Sequence, residues 1–322
     1  MGAEYRIESL DADAFAVEDF PDWDAHPLAS DFAADLYAVV APAHKDRSFQ
    51  VVGPKGVMLA ARATVDDKAV SFYGMPLTLA VKAGMAGKEG RQTIAAALDH
   101  LVDVGTKAEV GEAVIAGMAD RSPDAVGMAL VDRLARGEAR AWIVADLTPE
   151  PDIIKRDIRD SYRSLLNWGE RNLTLKRVDR EFPDRALFDL FPQFHAKISG
   201  RERGRDYWDV YWNDILSGGS ELLLAWLSDG TLVSGSIITG RGRTAYYASG
   251  VYARDQFDKP LGHWPLWHAM MRAREQGYTR FDLGELADRW RANDKEASIA
   301  FFKRGFSSGR EIRMSWVLPL SR

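Results

Sequence analysis

Two carboxylates, Asp282 and Glu285, sit three residues apart at the end of the apolar run from Tyr278 to Leu283, and a lysine, Lys303, closes a helical run further on. A carboxylate at the end of a buried strand is desolvated, which raises its pKa toward the value needed to accept a proton from an ammonium. Either residue is therefore a candidate general base. Neighbouring strand residues point to opposite faces, so the spacing of three puts both on one face only if the strand ends at Gly284. Asp282 can equally serve as a cap for backbone groups. Lys303 and Arg304 fall in the last turn of a helix, where the dipole favours cations for structural reasons alone.

Other residues of chemical type cluster nearby in sequence. Tyr246, Tyr247 and Ser249 lie on one strand, where Tyr247 and Ser249 share a side, and a phenol there can protonate a leaving thiolate or ribose hydroxyl. Core packing is the competing use. The run RERGRDYW brings Arg201, Arg203 and Arg205 beside Tyr207 and Trp208; arginine forks bind phosphate or carboxylate, and aromatic rings stack on a base or sugar. His195 is a further base or substrate contact, or a structural helical histidine. Lys259, Gly262 and His263 stand where a loop feeds a helix, and a glycine at a helix N-terminus permits close approach of an anion such as a pyrophosphate. His263 and His268 flank WPLW without an HExxH pattern or an acidic third ligand, so no metal is expected. Nucleophile-elbow, P-loop and dinucleotide glycine motifs are absent.

Composition narrows the classes. At 322 residues and 46% hydrophobic, the chain is long enough for two domains. The absence of cysteine excludes disulfides, thiolate nucleophiles and cysteine metal sites, and suits a cytoplasmic protein. The acidic start MGAEYRIESLDADAF lacks a basic and apolar leader, and no apolar run approaches membrane-spanning length. Charge is uneven: residues 1–150 hold 14 Lys+Arg against 24 Asp+Glu, and 151–322 hold 28 against 23. A basic second half suggests an anionic partner, such as a CoA pyrophosphate or a tRNA backbone, set against an arginine-rich helix surface.

The elements that position these residues follow from periodicity. Ser30 caps a helix that ends before Pro42, and SFQVVG, GVMLAARATV and AVSFYG read as an antiparallel meander. Two helices follow, one with Ile94, Ala97, Leu98 and Leu101 on a face, the other capped by Ser122 with Pro123 at its first position. TPEPD is the expected linker. One amphipathic helix spans 153–170, then a strand, two helices and three antiparallel strands turning at Asp229-Gly230 and Gly240–Gly242. Last come a helix from PLGHW, the strand ending in Asp282, and a helix with Asp294 as cap that stops at Gly305.

The stretch FDLGELADRWRANDKEASIAFFKRGF, with IRDSYRSLLNWGERNLTLKRV, FHAKISGRERGR and PLGHWPLWHAMMRAREQGYTRFDLGE before it, resembles the FemAB-like branch of the GNAT acyltransferase superfamily over about residues 155–318. The resemblance implies an α/β (α+β) protein of two GNAT-like domains, each a twisted, mixed, largely antiparallel sheet flanked by helices, at 1–150 (degenerate) and 151–322 (acyltransferase). It implies transfer of an acyl or aminoacyl group to an amine by direct attack, with Lys303 of the FK-x-GF segment on the oxyanion, Asp282 or Glu285 as base, and Tyr247 as proton donor. Lys259, Gly262, His263 and Ser249 would border the donor, and Arg201, Arg203, Arg205, His195 and Trp208 the substrate. The GNAT loop Q/R-x-x-G-x-G/A keeps only Lys259 and Gly262 here, which weakens the case for acetyl-CoA and leaves room for aminoacyl-tRNA as cosubstrate. No tightly bound cofactor, DNA or membrane insertion is expected, and the acceptor is a small-molecule or peptidyl amine. An acetyl-CoA-dependent N-acetyltransferase acting on a small amine or amino sugar, and a silent binding protein of the same fold, are the alternatives.

Overall fold

The computed structural model describes residues 5–118, 125–256, 258–286 and 293–320. The chain divides into two compact units, residues 1–141 with 312–322, and residues 142–311. TPEPD, expected as a linker, lies inside the second unit and starts a helix. Pro151 takes an early position of that helix, where its missing N–H costs nothing.

In the first unit, β1 (Arg6–Ser9) is followed by α1 (Asp31–Val40), whose N-cap is Ser30 as its sequence predicts. The strands β2 (Lys45–Asp46), β3 (Phe49–Gly53), β4 (Gly56–Ala61), β5 (Thr64–Val65), β6 (Val70–Ser71) and β7 (Ala80–Val81) come next. They do not form one meander. The strands β1-β3-β4-β7 make a four-stranded antiparallel sheet, whereas β5 and β6 join β8 (Glu112–Met118) and β15 (Arg310–Pro319). Between the sheets runs α2 (Gly87–Ala108), which buries Ile94, Ala97, Leu98 and Leu101 against Val51, Leu59, Leu77 and Ile115. Its N-cap, Ala86, supplies no side-chain bond. A cap is worth about 1 kcal/mol, and each fully buried aliphatic side chain about 1.5–3 kcal/mol, so the apolar stripe holds this helix without one. After α3 (Ala125–Asp132) comes β9 (Arg136–Asp146). The expected cap Ser122 and Pro123 lie outside the described residues.

The second unit opens with α4 (Pro151–Asp157) and α5 (Asp160–Asn172), where one continuous helix is expected. The chain breaks at Ile158, which is extended, and Arg159, which is not helical, because Ile158 is buried and the Arg159 N–H donates to the Gly305 carbonyl at 2.8 Å instead of to its own helix. Then follow β10 (Thr174–Val178), α6 (Arg185–Phe188), α7 (Leu190–Ser199), α8 (Arg205–Ser217), β11 (Ser220–Trp226), β12 (Leu232–Arg241), β13 (Thr244–Tyr252), α9 (His263–Glu275), β14 (Arg280–Glu285) and α10 (Asp294–Lys303). The strands pair in the order β10-β11-β12-β13-β14-β9. Every contact is antiparallel except β13 with β14, which is parallel.

Paired residues point to the same face of a sheet. Leu223, Ile238, Ala245, Tyr247 and Phe281 occupy one face and pack under Leu266, Trp267 and Met270 of α9. The other face is covered by α7 and α8: a methyl group built on Gly235 would meet the Phe191 ring and Leu224. This is a mixed, mainly antiparallel sheet with helices on both faces, the architecture its sequence predicts. Among the described residues no helix is long and apolar enough to cross a membrane.

Candidate active site

Parallel pairing of β13 and β14 lasts for only three residues, Thr244↔Arg280, Ala245↔Phe281 and Tyr246↔Asp282. Beyond that point β14 continues along β9, through an irregularity between Asp282 and Gly284, while β13 continues along β12. The two strands therefore part at Tyr246 and Asp282. Polar groups gather at this opening.

Gly284 has φ of +94°, a conformation that side chains rarely adopt. Its N–H donates to Asp282 Oδ1 at 2.6 Å, which fixes the turn. The space a side chain would fill at Gly284 is taken by Lys303: a methyl there would lie 2.8 Å from Lys303 Nζ, 3.9 Å from Tyr246 Cε2 and 4.0 Å from Tyr246 Oη. Burial pushes the Lys303 ammonium below the ordinary lysine range, and the charges of Asp282 and Glu285 oppose that shift. Asp282 is fully buried and Glu285 exposed. Lys303, Asp282 and Glu285 are thus brought together, and the two carboxylates differ in access to water.

Tyr247 is not part of this group. A bulge between Ile237 and Ile238 pairs Ser249 with Ile237 and Tyr247 with Ile238, so the alternation that would place both on one side is broken. Tyr247 faces α9, where its hydroxyl bonds to that of Tyr252, and burial pushes its phenol up. Ser249, half-buried, shares the α7 and α8 face. The phenol at the opening is that of Tyr246. Its position follows from the pairing with Asp282, a long-range register that no local pattern encodes.

The N-terminus of α9 is closed. Gly262 is buried, and a methyl built on it would lie 2.7 Å from the Tyr252 ring and 3.1 Å from the Phe302 ring. The glycine permits close approach here, but by aromatic rings. The His263 N–H donates to Pro260 at 3.4 Å, and Pro265 in the first turn has no N–H to offer. Lys259 turns back on its own loop, its Nζ 2.7 Å from Gln256 Oε1 and 3.3 Å from Asp258.

His263 is edge-on to Tyr162 at 4.4 Å and to Phe302 at 5.2 Å, with Phe306 beyond. Burial lowers its pKa to about 4, the Pro260 carbonyl resisting and Arg159 assisting the shift. His268 instead stacks on Trp264, so the two histidines do not converge. Among the described residues no cluster of His, Asp and Glu could hold a metal ion. Because the folded imidazole gains its proton only near pH 4, and an unperturbed one near 6.5, the unfolded chain binds the extra proton between those values. Stability from this group is full above pH 6.5 and falls as pH drops toward 4, by up to about 3 kcal/mol at 1.36 kcal/mol per unit. Melting curves at pH 7.5, 5.5 and 4.5 should converge for His263→Phe relative to the parent; equal acid sensitivity of the two would rule out this source.

The arginine cluster divides. Arg201 and Arg203 are exposed, and both charges, with burial the larger cause, hold the His195 imidazole below its usual range. Arg203 also lies over the Tyr207 ring at 5.0 Å. Arg205 pairs with Asp209 at 3.4 Å, within α8. Trp208, expected against substrate, is 5% exposed and packs on Phe191, His195 and Tyr211. Its helical position turns it into the core. The cap of α10 is Asn293, not Asp294: Asn293 and Glu296 form a reciprocal capping box, which leaves Asp294 in the first turn. Tyr162 was not singled out by sequence, yet its ring lies on the Cα of Gly305 and its hydroxyl donates to Phe302 O at 3.3 Å, holding the end of α10.

Residues 154–292 match the acetyltransferase (GNAT) domain family. No curated protein matches the sequence. Among solved structures, the crystal structure of FemX aligns with a TM-score of 0.70 over 96% of this chain and 96% of its own, at 14% identity. A tandem GNAT protein from the clavulanic acid biosynthesis pathway aligns at 0.56 over 100% and 99%, with 12% identity. The C-terminal domain of a putative lysylphosphatidylglycerol synthetase from Agrobacterium fabrum aligns at 0.55 over 88% and 87%, with 14% identity. Such low identities speak for the fold alone. Residues 154–292 are thus similar to the GNAT acetyltransferase domain, and the chain as a whole shares the fold of FemX and of the tandem GNAT protein.

Proposed function

We propose that the second unit transfers an acyl or aminoacyl group to an amine by direct attack at the opening between β13 and β14. The observation that carries this reading is the Lys303 ammonium seated against Gly284, beside Asp282 and Tyr246, with Glu285 open to solvent. In this reading the amine lone pair attacks the donor carbonyl, and the carbonyl π pair moves to oxygen. Lys303 stabilises that oxyanion in a partly desolvated place, where a fixed cation acts most strongly. Glu285 takes the proton of the attacking nitrogen. Collapse of the tetrahedral species breaks the bond to the leaving oxygen or sulfur, which takes a proton from Tyr246. Asp282 holds the turn and the lysine.

The acceptor side is assigned to the face of α7 and α8, toward which Tyr246 and Ser249 point and on which Arg201 and Arg203 are exposed. We assign the donor to the aminoacyl-ester class, not to acyl-CoA. The support is the α9 N-terminus, where aromatic rings cover Gly262, Pro265 lacks a donor and Lys259 is tied to its own loop. The first unit is read as a degenerate GNAT-like partner domain without a donor site.

Thermal shift with acetyl-CoA, CoA, charged tRNA and uncharged tRNA at two salt concentrations tests this. A ligand at 100 times its Kd adds about 2.7 kcal/mol, a rise on the order of 5 °C. A salt-sensitive rise with charged tRNA and none with CoA species is expected. A rise with acetyl-CoA alone would replace the aminoacyl reading with an acetyl-CoA-dependent one. No rise with any of them, together with turnover insensitive to Lys303, would leave a non-catalytic binding protein.

A further inference from the structure

Lys303 ends a helix that has little of its own to hold it. Of the ten residues of α10 only Ala300 is buried, and Phe301 is 57% exposed. A lysine stem is flexible, so the ammonium stays against Gly284 only if the backbone that carries it is kept in place. The last carbonyls of a helix have no partner within it and are the natural points of attachment. In α10 they are met from the start of α5.

Three bonds make this attachment: the Arg159 N–H donates to the Gly305 carbonyl at 2.8 Å, Arg159 Nη2 to the Phe301 carbonyl at 3.3 Å, and Tyr162 Oη to the Phe302 carbonyl at 3.3 Å. Lys303 is therefore bracketed, with held carbonyls on both sides of it. Arg159 Nη1 also donates to Tyr162 Oη at 3.2 Å, which leaves the phenol proton directed at Phe302. The Tyr162 ring is buried, lies on the Cα of Gly305, and is edge-on to His263 and Phe306. Burial raises its pKa and Arg159 opposes that shift, so the phenol remains a donor at neutral pH. Packing does not account for the hydroxyl. A phenylalanine ring would make the same contacts; only the bond to Phe302, the residue before Lys303, needs the oxygen.

We propose that Tyr162 is a positioning residue of the transfer reaction: its hydroxyl, oriented by Arg159, fixes the turn of α10 that holds the Lys303 ammonium at the opening. The proposal rests on the reading of Lys303 above and adds the group that keeps it in place. The groups that face Lys303 are Asp282 and Glu285 of β14 and Tyr246 of β13. Tyr162→Phe alters none of them and removes no charge, so a changed titration of Lys303 in that variant reports where the ammonium sits. A looser turn lets water reach the ammonium and relieves the depression that burial imposes on it.

The test is a side-chain carbon NMR titration of protein labelled in its lysines, from neutral pH to about pH 11, with the Lys303 signal assigned by its loss in Lys303→Ala. In the parent that signal should titrate below the exposed lysines. In Tyr162→Phe it should move toward them, with the melting temperature within a few degrees of the parent. Gly230→Ala, which strains a turn elsewhere in the second unit, should leave the signal in place. A Lys303 that titrates with the exposed lysines in the parent, or alike in parent and Tyr162→Phe, or that moves as far in Gly230→Ala, overturns the positioning role. In single-turnover transfer from charged tRNA, Tyr162→Phe should lower kcat about 10–100-fold with KM unchanged, and added to Lys303→Ala it should cost nothing further. Losses that multiply in the double variant overturn the claim that the hydroxyl acts through Lys303. An unmoved signal, with transfer lost in Lys303→Ala, removes the positioning and leaves the acyl-transfer reading standing. A moved signal, with parent-rate transfer by Lys303→Ala, removes that reading and the proposal with it.

Discussion

Replacing Lys303 by alanine is expected to lower kcat by about 10²–10³-fold, the cost of losing one preorganised oxyanion donor. The melting temperature should move by only a few degrees, because Asp282 keeps its bond from the Gly284 N–H and α10 keeps its hold through Tyr162 and Arg159. The measurement is single-turnover transfer from whichever donor raises the melting temperature, with KM determined alongside. A transition-state role appears as equal losses in kcat and kcat/KM; a binding role would raise KM and spare kcat. Lys303→Arg keeps a cation but replaces a compact ammonium by a planar fork, so it should recover stability and little of the rate. A full-rate Lys303→Ala enzyme would remove the lysine from the chemistry.

Gly284→Ala is expected to damage both fold and rate, through different causes. A φ of +94° costs a non-glycine residue about 1–3 kcal/mol, which appears as a lower melting temperature. The added methyl would sit 2.8 Å from Lys303 Nζ, and because that atom ends a flexible chain it can retreat, taking the charge away from the opening. The rate should then fall at least 10-fold beyond what lost stability explains, since at 20 °C a protein destabilised by so little remains folded. Gly230→Ala separates the two effects: Gly230 also has positive φ, in the β11–β12 turn, with open space around it. It should lose stability and keep its rate. If both variants lose the same activity, Gly284 has no special part in positioning Lys303.

Much of the second unit can be read from local pattern. Alternation marks β11, β12 and β13, the Asp229-Gly230 turn joins two of them, and the apolar run ending in Asp282 is β14. Asp282 and Glu285 can be paired from the strand end alone, whereas Lys303 joins them only through the resemblance of its FK-x-GF segment, since a lysine in a last helical turn is equally a structural charge. What escaped is what depends on distant pairing. The bulge at Tyr247 to Ser249 exchanges which tyrosine faces the opening, and no residue type there announces it. The break at Ile158 and Arg159 is imposed by Gly305, more than a hundred residues away. Gly262 resembled a phosphate loop because a glycine before a helix looks the same from sequence, whether an anion or a tyrosine ring approaches it. Trp208 sits in a run of arginines, but helical rotation decides that it faces inward.

The short pairing of β13 with β14 has a consequence for how the site is assembled. The sheet supplies an opening and two acids, but the cation comes from α10, a helix in which residues 293–299 are all exposed and Ala300 is buried. That helix is pinned near its end by Tyr162 and Arg159, while the strands around the opening belong to a large shared core. In the proposed mechanism the placement of Lys303 then depends on how firmly one helix end is docked, through Phe302 and Phe306, on the core it shares with the strands. If that docking loosens before the sheet does, transfer is expected to fall on warming at a lower temperature than the one at which the sheet unfolds.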